Sequence, residues 1–484
     1  PDTNQMTNVQ IFKYVVRYIG VVILIGSAPT LAAPKILFDQ INRCSIYYNF
    51  AQWGIDVHWG FIIVGSVAVY LKKFTVPQWE MYYADYYDSD YPPSPYIVFD
   101  IQESYLQPVD ADLYVSPTGN DSNSGLSPVS ALKTPSRAMQ RIASNPDNPK
   151  TVHLMAGEHH NVFTGEYIPI AIKDYTILQG VSQTQTRLYG ENMIEGTGVV
   201  TMGIERYGMT LRDLSITTSN AAAIFSFGVH SCFAQNITIE NSTVGRFLFV
   251  TGYITSTFTL SNITMQNNIA YFHDYGLRLE GSVITIDNIL MRNNQVPSLP
   301  SYWYQRGCGG FDIYVKDLLT IKNSKFINNT HYSEDGYSNF RVNTLSDLWN
   351  SVVTFDNCMF ASNFAYGGVR DIRFVNIDVL NLINCTFANN INNYTDYLYI
   401  SSELTSIVNC LFSNNNSYYE IRSNNNTLVE NSLFSRSNNI WRTYNGEPLN
   451  WGQFNLVGTN PLFSGVDPTQ PSYYFLFADQ EHGY

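Results

Sequence analysis

Apolar and polar positions repeat along this chain in units of 22 to 35 residues. An apolar residue stands two positions before a central polar residue, a small or apolar one follows it directly, and a large one stands three positions after it. In a straight strand, the first and third residues after the central residue share one face, and the apolar residue two positions before it lies on the other face. The pattern therefore predicts that the chain bends at the central residue. Asn suits such a bend because it accepts left-handed backbone angles. The central residues are Asp213, Asn236, Asn262, Asn288, Asn323, Asn357, Asn384, Asn409 and Asn431.

Units of this length are typical of one turn of a parallel β-helix with three short strands per turn. We therefore predict an all-β fold, a right-handed parallel β-helix solenoid of roughly 10–12 rungs. A second Asn stands five residues after the first in most units, as at Asn328 and Asn389. Stacked about 4.8 Å apart, these amides are predicted to form a hydrogen-bonded ladder.

The entry to the solenoid lies between Asp112 and Ile142. It has a strand, a turn rich in Gly, Asn and Ser, and a short amphipathic helix with Ala138, Met139 and Ile142 on one face. We expect this helix to cap the open end of the core. The segment resembles the start of the pectate-lyase-like β-helix families of secreted and surface proteins at Tyr114, Val115, Ser116, Gly119, Asp121, Ser122, Gly125, Pro128, Lys133 and Thr134.

That resemblance extends over residues 112–476 and implies the fold, which hosts lyases, hydrolases, adhesins and structural proteins. The repeated F-x-x-N also resembles the repeats of bacterial polymorphic surface adhesins and of Asn-rich β-helix proteins of protists. Near the C-terminus, the residues similar to the closing segment of the family are Asn460, Pro461, Leu462, Phe463 and Asp467.

The N-terminal part is predicted to form a membrane-associated helical segment over residues 1–75. Its apolar runs, 18–33 and 59–71, are preceded or followed by Lys and Arg. The first run has the pattern of a signal peptide or signal anchor, and the second is short of the roughly 20 residues that span a bilayer. One or two transmembrane helices and buried core helices are the alternatives, with membrane contact through residues 11–73.

Residues 76–110 are rich in Tyr, Pro and Asp, which predicts a linker or an extended strand packed on the rest of the protein. Residues 111–484 then form the β-helix. The β-helix is expected outside the cell or at its surface, with an organellar membrane complex as the alternative location.

The charge content excludes one class of partner. Only 14% of the residues are charged and the net charge is −13, whereas nucleic-acid binding needs clustered Lys and Arg. Sequons for N-glycosylation are a weak indication of secretion, and the candidates are Asn236, Asn241, Asn262, Asn328, Asn384, Asn393, Asn415 and Asn425.

Cysteines recur at equivalent positions of three adjacent units, at Cys358, Cys385 and Cys410. Stacked buried thiols are the first expectation, and a disulfide between neighbours is the alternative because the spacing of adjacent rungs permits one. No His joins this column, which argues against a metal site.

The candidate binding face comes from the short strand that precedes each repeat. With the apolar residues pointing inward, the outward residues form a column of Arg and Tyr flanked by carboxylates. Such a face suits an acidic polysaccharide, a set of cross-strand ion pairs or a protein contact. Its residues are Arg278, Asp312, Tyr314, Arg341, Asp371, Arg373, Tyr397, Tyr399 and Arg422.

Three functions follow from these features. The first is a non-catalytic, membrane-held structural or adhesive scaffold that presents this face to glycans or neighbouring subunits, and the second is an accessory subunit of a large membrane complex. The third is a polysaccharide lyase, in which Arg341 or Arg373 is the base and Asp312 or Asp371 binds Ca²⁺. We expect no other cofactor. Paired carboxylates of the polygalacturonase type are missing from the sequence, which disfavours a glycosidase.

Overall fold

The computed structural model describes residues 21–23, 44–45, 57–59, 67–77, 82, 84–86 and 97–459, the last range without 164, 166–168, 192–197, 203–206, 220–221, 245–247, 271–274, 298–307, 333–338, 345–349, 367–370, 393–395, 424–425 and 444–449. The helices in these residues are a 3-10 turn, Pro128–Ser130, and an α-helix, Pro135–Arg141. The remaining regular structure is strand.

The strands before residue 112 are Val21–Ile23, Cys44–Ser45, Val57–Trp59, Val67–Phe74, Ala84–Tyr86 and Ile97–Ser104. Those up to residue 202 are Leu113–Val115, Lys150–Leu154, Gly157–His160, Ile170–Ile172, Thr176–Gln179, Thr186–Gly190 and Gly198–Met202. Long strands that pass through bends are Met209–Thr218, Ala222–Glu240, Leu248–Gln266, Tyr275–Arg292, Cys308–Lys322, Ile372–Ile383 and Asp396–Val408. The shorter later strands are Lys325–Ile327, Phe340–Thr344, Val352–Asp356, Met359–Ala361, Thr386–Ala388, Leu411–Ser413, Tyr419–Ser423, Thr427–Glu430, Leu433–Phe434, Trp441–Thr443, Asn450–Trp451 and Leu456–Val457.

These strands form a parallel β-helix, as the sequence predicts. Each strand pairs in parallel with the strand one turn later, and parallel crossovers of this kind are right-handed in nearly all proteins. One rung shows the repeat: Phe340–Thr344 lies in sheet A, Val352–Asp356 in sheet B, Met359–Ala361 in sheet C and Phe364–Tyr366 in sheet D. Sheet D contains a fourth strand from each of several turns, whereas the sequence predicts three strands per turn. Its members are Thr243–Val244, Ile269–Ala270, Gln295–Val296, Thr330–Tyr332, Phe364–Tyr366 and Ile391–Asn392.

The bend between sheets B and C lies at the predicted residues. All nine central residues have left-handed backbone angles, with φ between 50° and 61°. The second Asn of the unit, such as Asn328 at φ 54°, makes a like bend between sheets C and D. Two bends per unit therefore come from a residue type that tolerates this conformation.

Aromatic side chains stack along the interior behind sheet C. The ring centroids of Phe360 and Phe387 are 5.3 Å apart, those of Phe387 and Phe412 are 4.7 Å apart, and those of Phe412 and Phe434 are 4.8 Å apart. All four side chains are buried. The residue three positions after the bend thus forms a core column along these rungs.

A buried amide ladder runs beside this column, one residue later than the sequence predicts. The second Asn of the unit does bond its neighbour in places, as Asn328 donates to Asn293 at 2.8 Å. The fully enclosed ladder, however, is formed by the following residue, because the chain turns inward just after the bend. Its members are Asn268, Asn294, Asn329, Asn363, Asn390 and Asn415.

The capping helix packs on the first rungs as predicted, with Ala138, Met139 and Ile142 buried. Asp121 organises the turn before it, because one carboxylate oxygen accepts the backbone N–H groups of Lys133 and Thr134, both at 2.9 Å, and the other accepts the Thr134 hydroxyl at 2.9 Å. Gly119 is required in the same turn, since a Cβ there would lie 2.2 Å from the Leu132 carbonyl oxygen.

Asp121→Ala should therefore destabilise the entry to the solenoid. Hydrogen bonds to a charged acceptor contribute about 1.5–3 kcal/mol, so we expect a loss of about 3 kcal/mol in the free energy of unfolding. Asp121→Asn keeps one carbonyl oxygen and should lose less. Urea unfolding of the three proteins measures the order, and equal stability of Asp121→Ala and the parent would contradict this role of the carboxylate.

Where the structure describes parts of the two apolar runs, it has the strands Val21–Ile23 and Val67–Phe74, whereas the sequence predicts helices there. Val67–Phe74 pairs in parallel with Ile97–Ser104, and Leu71 and Phe74 belong to the same apolar cluster as Leu113. A short apolar run rich in Val fits a buried strand as well as a helix. Residues 97–104 thus follow the packed-strand alternative for residues 76–110. No helix of the described residues is long and apolar enough to cross a membrane.

Candidate functional site

The outer face of sheet A carries the predicted arginines in one register column, which we call the arginine column. It runs through Arg278, Asp312, Arg341, Arg373, Tyr399 and Arg422. Asp312 therefore stands within the column, where the sequence interpretation placed Tyr314. The inward Phe311 and Ile313 fix this alternation, so Tyr314 lies in the next column, opposite Glu280 and Asn343.

Asp312 is clamped by the two arginines next to it. Its carboxylate accepts Arg341 Nε at 2.6 Å and Nη2 at 2.8 Å, a bidentate pair, and Arg278 Nη1 at 3.4 Å. Arg278 also donates its Nε to Glu280 at 2.8 Å. The Asp312 side chain is 0% exposed and that of Arg341 is 11% exposed. Burial raises the pKa of Asp312, while Arg341 and Arg278 oppose that rise.

Tyr314 lies between the same two arginines. Their guanidinium carbons are 4.9 Å (Arg278) and 5.1 Å (Arg341) from the ring centroid, and Arg341 donates to the phenol oxygen. Burial and the charge of Asp312 raise the pKa of Tyr314. The phenol therefore stays protonated and holds both guanidinium groups in place.

A second aromatic ring serves the later part of the column. Arg373 lies 5.4 Å and Arg422 5.6 Å from the ring centroid of Tyr399. Arg422 Nη1 also pairs with a buried oxygen of Asp396 at 3.3 Å. Asp396 contacts the face although the sequence interpretation did not include it, because only the tertiary register brings it beside Arg422.

Two predicted members of the face are fully buried. Asp371 and Tyr397 are both 0% exposed, and the Tyr397 ring packs 6.1 Å from the core ring of Phe387. Burial raises the pKa of Asp371 to about 7, and the Asn339 amide beside it opposes the rise. By strict alternation from the sequence both residues were expected on the outer face.

Asp312 and Asp371, either of which the sequence suggests as a Ca²⁺ ligand, are not neighbours. The register places Asp312 two rungs from Arg373, which is two residues beyond Asp371, and both oxygens of Asp312 accept hydrogen bonds from Arg341. No group of three His, Cys, Asp or Glu residues suited to a metal occurs in the part of the chain that the structure describes. Arg341 is also a poor candidate base, because its bidentate pair with Asp312 favours the protonated guanidinium.

The glycosylation candidates differ in their surroundings. Asn415 is buried and donates to the Phe387 carbonyl at 3.0 Å, so its amide cannot carry a glycan in this fold. Asn241 is exposed. Asn393 and Asn425 lie outside the described residues. The other amides donate to neighbouring side chains, at Asn236, Asn262, Asn328 and Asn384.

No protein-family model matches the sequence, and no curated protein matches it. Among solved structures, the chain is similar to the A-module of the Azotobacter vinelandii mannuronan C-5 epimerase AlgE4, with 14% identity, 63% of this chain and 88% of that chain covered, and a TM-score of 0.33. The A-module of AlgE6 from the same organism is 15% identical, with 66% of this chain and 93% of that chain covered and a TM-score of 0.34. A rhamnogalacturonan lyase is 11% identical, with 72% of this chain and 86% of that chain covered and a TM-score of 0.30.

Proposed function

We propose that this protein is a non-catalytic β-helix scaffold that binds an acidic polysaccharide along the arginine column. The observation that carries the proposal is the group of Arg373, Tyr399 and Arg422 on three neighbouring strands, in which the guanidinium carbons lie 5.4 Å and 5.6 Å from the Tyr399 ring centroid. Arg recognises carboxylates through paired hydrogen bonds, so a carboxylate of a bound polymer would meet these guanidinium groups.

The surrounding groups suit a ligand that meets the face at close range. Glu280, Asp312 and Asp396 neutralise much of the charge of the column, and the whole chain carries −13. Long-range attraction of a polyanion is therefore weak, and the affinity has to come from direct contacts with Arg373, Tyr399 and Arg422. We expect a dissociation constant near the weak end for proteins, on the order of 0.1–1 mM.

Attachment to a membrane, adhesion at the cell surface and a role as a subunit of a larger complex belong to the same proposal. Each would use the solenoid as a stiff support, since every rung contacts only its neighbours. The sheet A face would then meet either a glycan or a neighbouring subunit.

A polysaccharide lyase is the second candidate, and the cluster around Tyr314 favours it. A phenol bonded to Arg341 and next to a carboxylate has the residue types for proton transfer at a uronate. The raised pKa of Tyr314 argues against its acting as a base, which is why binding comes first.

Calorimetric titration with polygalacturonate tests the proposal, with dextran as the neutral control polymer. Arg373→Gln should weaken polygalacturonate binding about tenfold, or about 1.4 kcal/mol. The matched control is Arg292→Gln, because Arg292 lies on the sheet C side and donates to Gln266 at 2.8 Å. Equal binding of dextran, or equal loss in both variants, would contradict the assignment, and release of an unsaturated uronate would favour the lyase.

A further inference from the structure

Three thiols stand in consecutive rungs at the bend between sheets B and C. The residues that follow Cys358, Cys385 and Cys410 are in register. The rungs are joined by bonds from Thr386 N to the Cys358 carbonyl at 2.9 Å and from Leu411 N to the Cys385 carbonyl at 2.8 Å. Neighbouring Cα atoms are therefore about 4.8 Å apart. That separation falls within the range of a disulfide, whereas the two rungs between Cys358 and Cys410, about 9.6 Å, fall outside it.

The column does not require sulfur for its structure. Each thiol donates to the carbonyl two residues before it, as Cys385 does to Ile383 at 3.2 Å. Ser324 and Ser432 continue the same column at its two ends and donate in the same way, at 2.6 Å and 2.8 Å. A hydroxyl thus fills this position as well as a thiol, so the three cysteines are not explained by packing alone.

We propose that Cys385 is the centre of a redox-sensitive staple that forms a reversible disulfide with either Cys358 or Cys410. The oxidant is a peroxide, which is small enough to reach a buried thiol during brief local opening. The Cys385 sulfur attacks one peroxide oxygen, and the O–O bond breaks to give a sulfenic acid and water. The neighbouring thiol then attacks that sulfur, a second water leaves, and the two thiols have together lost two electrons and two protons.

The electrostatic surroundings agree with Cys385 as the attacking thiol. Burial raises the pKa of Cys358 and of Cys410. Burial acts on Cys385 too, but the thiols on both sides of it lower its pKa. Cys232 is a buried thiol elsewhere in the core whose pKa burial raises to about 12, and it serves as an internal comparison.

Hydrogen peroxide treatment followed by peptic digestion and mass spectrometry tests the staple. Pepsin is chosen because the sequence has no Lys or Arg between Cys385 and Cys410, so trypsin would leave both in one peptide. We expect linked peptides for the pairs 358–385 and 385–410 that dithiothreitol reverses, and a higher melting temperature after oxidation. Cys232 should stay unmodified.

The serine variants separate the staple from general oxidation. Cys385→Ser should fold normally and lose both linkages, while Cys358→Ser and Cys410→Ser should each keep the other pair. Should Cys385→Ser fail to fold, the two outer variants still decide the matter. A linked 358–410 pair, equal oxidation of Cys232, or unlinked sulfinic acid at Cys385 would overturn the proposal.

Discussion

Asn363→Ala is expected to lower the free energy of unfolding by about 3–5 kcal/mol. The Asn363 Oδ1 accepts the backbone N–H of Asn329 at 3.0 Å and its Nδ2 at 3.1 Å. The Asn363 Nδ2 donates to Asn390 Oδ1 at 3.0 Å and to the Phe326 carbonyl at 2.8 Å. Truncation leaves several buried polar groups without a partner, and each costs about 1–3 kcal/mol. Urea unfolding followed by circular dichroism measures the loss.

The matched control is Asn357→Gly in the same rung. Asn357 also belongs to an amide column, donating to Asn323 at 2.8 Å, but that contact is exposed to solvent. Glycine keeps the left-handed backbone, φ 54° in the parent, so we expect a loss below about 1 kcal/mol. If Asn357→Gly lowered the free energy of unfolding as much as Asn363→Ala, the buried ladder would contribute no more to stability than the exposed column.

Asp371→Asn is expected to stabilise the protein at pH 8, by up to about 4 kcal/mol. The pKa of Asp371 is about 7 in the folded protein, against an ordinary value of 3.8. Above pH 7 the parent must hold an ionised carboxylate in a fully buried place, at a cost of 1.36 kcal/mol for each pKa unit. The neutral amide has nearly the same shape and avoids this cost.

The direction of the pH effect follows from the bound proton. Between about pH 4 and pH 7 the folded protein keeps a proton on Asp371 that the unfolded chain releases, so this residue's contribution to stability falls as pH rises through that window. His331 acts in the opposite sense, because burial lowers its pKa to about 4 and its contribution is lost as pH falls from about 6.5 to 4. The difference between the parent and Asp371→Asn isolates the carboxyl group.

Melting temperatures of both proteins from pH 4 to pH 8 measure this difference. The two should be closest at pH 4 and furthest apart at pH 8. Asp147→Asn is the control, since that side chain lies exposed in a turn and should leave the pH dependence unchanged. A difference that stays constant with pH would mean that Asp371 is ionised, or neutral, throughout.

The candidate binding face was predicted only in part by the alternation of residues in the sequence. Alternation placed Arg278, Arg341 and Arg373 on the outer side of sheet A, and the register agrees. It did not predict that Asp371 and Tyr397 are fully buried. It also missed the pairing of Asp396 with Arg422, since the two carboxylate-to-guanidinium partners are 26 residues apart and meet only through stacking of rungs.

The sequence by itself determined the parallel β-helix, the positions of its bends and the residues of its core. Asn and Asp at the bends, apolar residues on either side and Phe three positions later are local requirements of backbone angle and burial, so they appear in the order of residues. Only the tertiary structure decided whether the fifth or the sixth residue after the bend forms the enclosed ladder, which carboxylates pair with the arginines, and which acid is buried. Those outcomes depend on contacts between neighbouring rungs, and a contact between distant residues has no fixed spacing along a chain.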